Sequence, residues 1–109
     1  MSAASDAMGD RLRPLLPPGL VEKKMFGGIG FMLHGNMTIG TTAKGELLVR
    51  IDPDKQAEAL AKPGAYQMHM GPRPMTGFIA VAADAVRDDA ALASWIAYAL
   101  TYAETLPPK

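Results

Sequence analysis

The sequence predicts an α+β fold: an antiparallel sheet of five to six strands with helices on one face, in the order α-β(3–4)-α-β(2)-α. Short segments with strand character form two groups, separated by a helix-forming stretch, and a long helical pattern closes the chain. The connections within each group have hairpin length, which favours antiparallel pairing over a parallel Rossmann sheet. With 109 residues, the chain is predicted to form one domain with one core.

The first element is a short N-terminal helix. Met8 and Leu12 recur at helical spacing, Ser5 is a candidate N-cap, and the Pro17-Pro18-Gly19 run ends the pattern. Three or four strands follow in meander, over residues 21–26, 29–34, 37–42 and 46–51. Pairs of residues with turn character separate them: Gly27-Gly28, Gly35-Asn36 and Lys44-Gly45.

The second half of the chain contains two more helices and two more strands. Residues 53–61 predict a short helix that begins at a proline, with Asp52 as its cap. Residues 65–70 and 77–82 predict strands on either side of a turn over residues 71–74, whose two prolines cannot donate to a central ladder.

The last helix is predicted with Asp88 or Asp89 as its cap, and Tyr98 and Leu100 lie off its main apolar stripe. We expect those two side chains to be available to a partner. The stripe itself comprises Leu92, Trp95, Ile96, Ala99, Tyr102, Ala103 and Leu106. Phe26 and Trp95 are expected to be buried in one core between the sheet and this helix.

The glycine-rich segment KKMFGGIGFMLHGNM resembles a phosphate-binding loop only superficially. A dinucleotide fingerprint that starts at Gly28 and Gly30 requires a third glycine where this chain has Leu33, and a hairpin pattern follows in place of a helix. We therefore interpret the glycines as structural. Gly27 and Gly28 are expected to allow positive φ in a tight turn, and Gly30 to allow close backbone approach.

This segment, together with ELLVRID, GPRPMTGFIAV and the final LASWIAYAL, closely resembles the N-terminal domain of the TfoX/Sxy competence-regulator family. The similarity spans about residues 20–106. It implies a two-layer α+β fold like that of secretion chaperones and a connection to the regulation of natural competence genes. Competence regulators of the family carry a second, C-terminal helical domain, so we expect this chain to be a stand-alone version of the first.

Three cations occupy the family's motif positions: Lys24, Arg50 and Arg73. They are a candidate patch for an anion or for a partner's carboxylates, although each could instead pair with a surface acid. The methionines and histidines raise the alternative of a copper(I) site. Strand alternation puts Met68 and His69 on opposite faces, however, which favours methionine as core filler. No catalytic residue, metal or cofactor is predicted.

Eleven basic residues balance eleven acidic ones and cysteine is absent, which disfavours direct nucleic-acid binding and excludes disulfides. No apolar run is long enough for a membrane span, so a cytoplasmic location is expected. The predicted function is a non-enzymatic regulatory or protein-interaction module that forms a homodimer or binds a protein partner. The alternative is a small-anion or nucleotide-binding domain that uses Lys24, Arg50 and Arg73.

Overall fold

A computed structural model describes residues 3–25 and 27–109, apart from the side chain of Met70. The described chain has the predicted α+β order, with four strands in the first group and two in the second. Short 3₁₀ turns lie at Arg13–Leu15, Pro53–Lys55 and Ala83–Val86. The helices and strands are α1 (Ala3–Leu12), β1 (Val21–Met25), β2 (Gly28–Leu33), β3 (Asn36–Thr41), β4 (Leu47–Arg50), α2 (Gln56–Leu60), β5 (Ala65–Met70), β6 (Arg73–Val81) and α3 (Asp89–Ala103).

The six strands form one antiparallel sheet in the order β1-β2-β3-β4-β6-β5. Strand β6 begins earlier than predicted, at Arg73, and includes Pro74. Its first residues pair with β5 alone, because its register with β4 begins only at Phe78. The prediction of a four-residue turn over residues 71–74 was therefore wrong, since a proline is tolerated where a strand has a neighbour on one side only.

The two faces of the sheet differ in what covers them. One row of directly paired residues crosses all six strands on the face that carries the helices, and we call this the helix face. The row consists of Glu22, Phe31, Ile39, Val49, Ile79 and Gln67. Its central members join Leu92, Ile96 and Ala99 of α3 in the buried core. The prediction of helices on one face is confirmed.

The next row of the ladder lies on the opposite face, which we call the open face. It consists of Lys23, Gly30, Gly40, Leu48, Ala80 and Tyr66. Side chains of adjacent strand residues point to opposite sides of a sheet, so this row is turned away from the core. Three of the four central members of the row are small, namely Gly30, Gly40 and Ala80.

Two of the three predicted N-cap residues cap a helix or 3₁₀ turn in the structure. The carboxylates of Asp52 and Asp88 accept hydrogen bonds from the backbone N–H groups of Asp54 and Ala90, at 3.0 and 3.1 Å. Ser5, however, is not a cap. It lies inside α1, fully buried, with its Oγ 2.6 Å from Oγ1 of Thr41. The serine was misassigned because its hydroxyl partner is a residue distant in sequence.

Helix α3 buries the predicted stripe through Leu92, Trp95, Ile96, Ala99 and Ala103. Tyr98 and Leu100 are half-buried and packed against the core, and their availability to a partner stays a prediction. The segment after α2 lies beside Tyr98. The Tyr98 ring stands edge-on to Trp95 at 5.7 Å, and the Lys62 ammonium is 5.0 Å from its centre.

The Tyr98 hydroxyl is buried near Glu58 without a hydrogen bond of normal geometry among the described residues. Burial, and then the negative charge of Glu58, raises the pKa of Tyr98 above that of a free tyrosine. Both effects disfavour the phenolate. The hydroxyl is therefore buried, while the residue as a whole is half-buried at the margin of the core.

Glycines shape the middle of the sheet in two different ways. Gly27 has a φ of +77° in the turn between β1 and β2, as the sequence predicts, whereas Gly28 does not share this conformation. Gly28 is instead required by proximity, since a Cβ there would lie 2.1 Å from the carbonyl oxygen of Thr41. Gly40 is equally confined, with a virtual Cβ 2.2 Å from the carbonyl oxygen of Ile29. These close approaches are between backbones, which cannot move aside as a side chain can.

The burial of Trp95 predicts a large stability cost on truncation. Trp95→Ala should lower the free energy of unfolding by about 3 to 5 kcal/mol, as for other large aromatic core residues. Urea denaturation measures this loss, with Ser94→Ala on the exposed side of the same helix as control. A loss below about 1 kcal/mol would contradict the orientation of α3. Phe26, which the sequence also predicts in this core, lies outside the described residues.

Substitution by alanine should cost more stability at Gly40, which faces backbone, than at Gly30, which faces a side chain. Gly40→Ala should destabilise by about 2 to 3 kcal/mol, because the methyl group meets main chain on β2. Gly30→Ala is the matched control, since its methyl group would meet only the thioether end of Met25, at 2.8 Å. The control should cost less than about 1 kcal/mol in the same urea titration. Equal losses would show that the backbone contact does not constrain the sheet.

Candidate functional site

A cavity of about 230 Å³ opens on the sheet face opposite the helices. None of its lining residues belongs to a helix. The lining is largely apolar, and four of its members are methionines. The lining residues are Met25, Met37, Thr41, Thr42, Ala43, Leu48, Met68, His69, Met75 and Phe78.

The cavity exists because the sheet curls. Met25 belongs to edge strand β1, whereas Met68 and His69 belong to β5 at the opposite edge, yet all three line the same cavity. In a flat sheet these two edges would lie about 24 Å apart, given the usual spacing of about 4.8 Å between strands. The small residues Gly30, Gly40 and Ala80 on the concave side leave room for this curvature.

The cavity methionines cover the floor of the open face. Met25 lies over Gly30, with its sulfur and terminal methyl where a side chain at Gly30 would begin. Leu48 lies in the same row, next to Gly40, and is only 8% exposed although no described helix packs on it. Methionine has three rotatable bonds and a polarizable sulfur, so it can fill irregular space and can also move out of it. The floor is therefore covered by side chains that adapt.

The argument that strand alternation separates Met68 from His69 was wrong. The register between β5 and β6 shifts between Gln67 and His69, and both Met68 and His69 line the cavity. Met8 is 4% exposed and fills the core, as expected. Core filling does not account for the four cavity methionines, which are all partly exposed: Met25, Met37, Met68 and Met75. The sequence did contain one signal of an apolar open face. Strand β4 is apolar on both faces, because Leu48 lies between the core residues Leu47 and Val49.

The three cations of the predicted patch do not share one surface. Lys24 pairs with Ile29, a core residue, so it lies on the helix face. Arg50 pairs with Phe78 on the open face, where its guanidinium lies 5.9 Å from the ring centre. Arg73 is exposed beside the β5–β6 turn. Lys23, which was not among the predicted cations of the patch, shares the open face with Arg50.

The helix side carries the ion pairs of the described chain. Arg13 donates to both carboxylate oxygens of Glu22, at 2.8 and 2.9 Å, and to Asp10 at 2.6 Å. The hydrogen bonds from Arg13 hold the pKa of Glu22 below its ordinary value. Arg11 pairs with Asp89 at 3.2 Å, which ties α1 to the start of α3. These pairs are exposed, so each contributes at most about 1 kcal/mol to stability.

The described residues show neither a metal-binding cluster of the usual acidic or histidine type nor a membrane-crossing helix. Over 3–25 and 27–109, no three histidine, aspartate or glutamate side chains come together as a potential metal site. Within the same ranges, every helix is too short or too polar to cross a bilayer. The feature that remains is the apolar cavity of the open face.

The partial exposure of the cavity methionines predicts selective oxidation. Dilute hydrogen peroxide should convert Met25, Met37, Met68 and Met75 to sulfoxides well before Met8, because oxidation of a thioether follows its exposure. Peptide mapping by mass spectrometry measures each rate, and Met8 in the core is the internal control. A rate for Met8 that equals the cavity rates would show that the cavity is closed to solvent.

Comparison with known proteins gives one family. A search of curated proteins and a search of solved structures each found no match. The model of the TfoX N-terminal domain matches residues 10–103, a range that includes every strand, helices α2 and α3, and all ten residues of the cavity lining. The resemblance carried by the glycine segment is thereby confirmed, and this chain belongs to the TfoX N-terminal domain family.

Proposed function

We propose that this chain is a non-enzymatic regulatory module that binds another protein through the open face of its sheet. The observation that carries the proposal is the apolar cavity on the face without helices. Membership of a family that includes competence regulators supports the regulatory part. The proposal replaces the predicted partner surface on α3, because Tyr98 and Leu100 pack against the core.

The chemistry of the lining favours a protein partner. Apolar concavities rimmed by polar residues are characteristic of interaction surfaces. Methionine-rich surfaces in particular adapt to apolar side chains of different shape, because each thioether can change rotamer at little cost. The cavity is also smaller than most pockets that enclose whole small molecules, so it suits one or two anchoring side chains of a partner.

The alternative function, binding of a small anion or nucleotide by Lys24, Arg50 and Arg73, has less support. Lys24 lies on the helix face and Arg50 on the open face, so the two cannot contact one small anion on the same surface. The glycine segment leads into strand β2 and not into a helix, so no helix N-terminus is directed at it. We therefore retain the protein-binding function.

The proposal predicts that cross-links to a partner form at the open face. A photo-reactive amino acid replaces Met68 in the cavity lining, and in a matched variant it replaces Ala93 on the exposed side of α3. Irradiation in the native host should give discrete protein adducts at position 68 and not at position 93. Mass spectrometry identifies the adducts, and an adduct between two copies of this chain would identify a homodimer.

Light scattering on the purified chain provides the second readout of self-association. A mass of twice 11.6 kDa would support a homodimer. A monomer at high concentration, together with no adduct at position 68, would count against the proposed function. Adducts at position 93 alone would move the partner surface to α3.

A further inference from the structure

We propose that the segment bound by the open face is an acidic amphipathic helix of another protein. Its apolar stripe would enter the methionine-lined cavity and its carboxylates would face the cations around the cavity. This inference rests on the proposed function and adds the chemistry of the partner.

The first argument is the separation of charge between the two sides of the sheet. The chain has eleven acidic and eleven basic residues, so it is neutral as a whole. Ten of the acids lie in helices, 3₁₀ turns or their caps, or, for Glu22, on the helix face of β1. The remaining acid is Glu46, which accepts a hydrogen bond from the hydroxyl of Tyr66. With Lys23 and Arg50 on the open face against this one carboxylate, the open face carries more cations than acids.

The second argument is the pairing state of the cations. On the helix side, Arg11, Arg13 and Arg87 each form an ion pair with a carboxylate. The other eight cations form no ion pair within the described part of the chain, and four of them lie at the strands or loops around the cavity. These four are Lys23, Lys44, Arg50 and Arg73. Unpaired cations beside an apolar cavity are available to a partner's carboxylates.

The third argument is the placement of the cations on separate strands, which favours an extended ligand. Lys23 on β1 and Arg50 on β4 are three strands apart in the sheet. A ligand with carboxylates on two sides can contact both without drawing the two side chains together. An α-helix is about 10 Å in diameter, and its polar residues flank the apolar stripe on both sides. It can therefore place carboxylates on either side of the cavity while its stripe enters it.

The lining favours a protein segment over nucleic acid. Nucleic-acid surfaces combine cations with aromatic rings on which bases stack. Here the Arg50 guanidinium lies 5.9 Å from the centre of the Phe78 ring, the Tyr66 hydroxyl is bonded to Glu46, and four of the ten lining residues are methionines. Thioethers and aliphatic side chains suit leucine or methionine anchors of a helix.

Three fluorescent peptides test the inference against the full chain. The first is an 18-residue amphipathic helix with a leucine stripe and glutamates on its flanks. The second replaces every glutamate by lysine, and the third has the composition of the first in a scrambled order without a stripe. Fluorescence anisotropy at low and physiological salt measures binding. We expect the acidic amphipathic peptide to bind at least tenfold more tightly than either of the others, and salt to weaken it.

A pair of variants locates the charge effect. Lys23→Gln on the open face should weaken the acidic peptide several-fold and reduce its salt dependence. Lys24→Gln, the neighbouring residue on the helix face, should leave both unchanged. Thermal unfolding verifies that each variant is folded. Equal effects of the two substitutions would overturn the assignment of the open face.

The outcomes separate this inference from the proposed function. If the acidic and basic amphipathic peptides bind equally and both shift the methyl resonances of Met68 and Met75, the protein-binding function stands and the charge preference is wrong. If neither peptide binds but position 68 forms cross-links to a protein, the helical partner is wrong. Displacement of the acidic peptide by duplex or single-stranded DNA would overturn the inference in favour of nucleic acid.

Discussion

The close approach of the β2 and β3 backbones is the constraint on which the rest of the structure depends. Gly28 and Gly40 have no room for a Cβ because each faces a carbonyl oxygen of the neighbouring strand at about 2 Å from the virtual position. In a curled sheet the two edge strands approach each other on the concave side. Residues of β1 and β5 therefore line one cavity. The glycine segment is therefore the origin of the candidate site, although no glycine contributes a side chain to it.

This curvature also explains why one face is packed and the other is not. The convex side of a curled sheet presents its side chains to α1, α2 and α3, which together with them form the core. No described helix packs on the concave side. It is covered instead by the methionines of its own strands. A helix of another protein could enter only if those side chains move aside.

The fold was predictable from the sequence because it depends on local signals. Turn residues, hairpin lengths and the periodicity of α3 identify every strand and helix, with errors of a few residues at Arg73 and at Ser5. The site was less predictable because it depends on register. Whether Lys23 or Lys24 faces the cavity is decided by one residue of offset, and the same sequence pattern is compatible with either. The shift between Gln67 and His69 is likewise a property of the pairing and not of β5 itself.

The methionines connect the stability of the open face to its capacity for binding. A rigid aliphatic lining that filled the concave side permanently would exclude a ligand. A rigid lining that left apolar surface exposed to water would favour aggregation. Thioether side chains avoid both results, because Met25 covers Gly30 in the free chain and can leave it at the cost of a rotamer change. The apolar area that a partner buries is then partly area that the methionines already bury. If the open face binds a protein as proposed, apolar contact alone would therefore bind weakly, and the cations of the open face would supply the remaining affinity and the selectivity among partners.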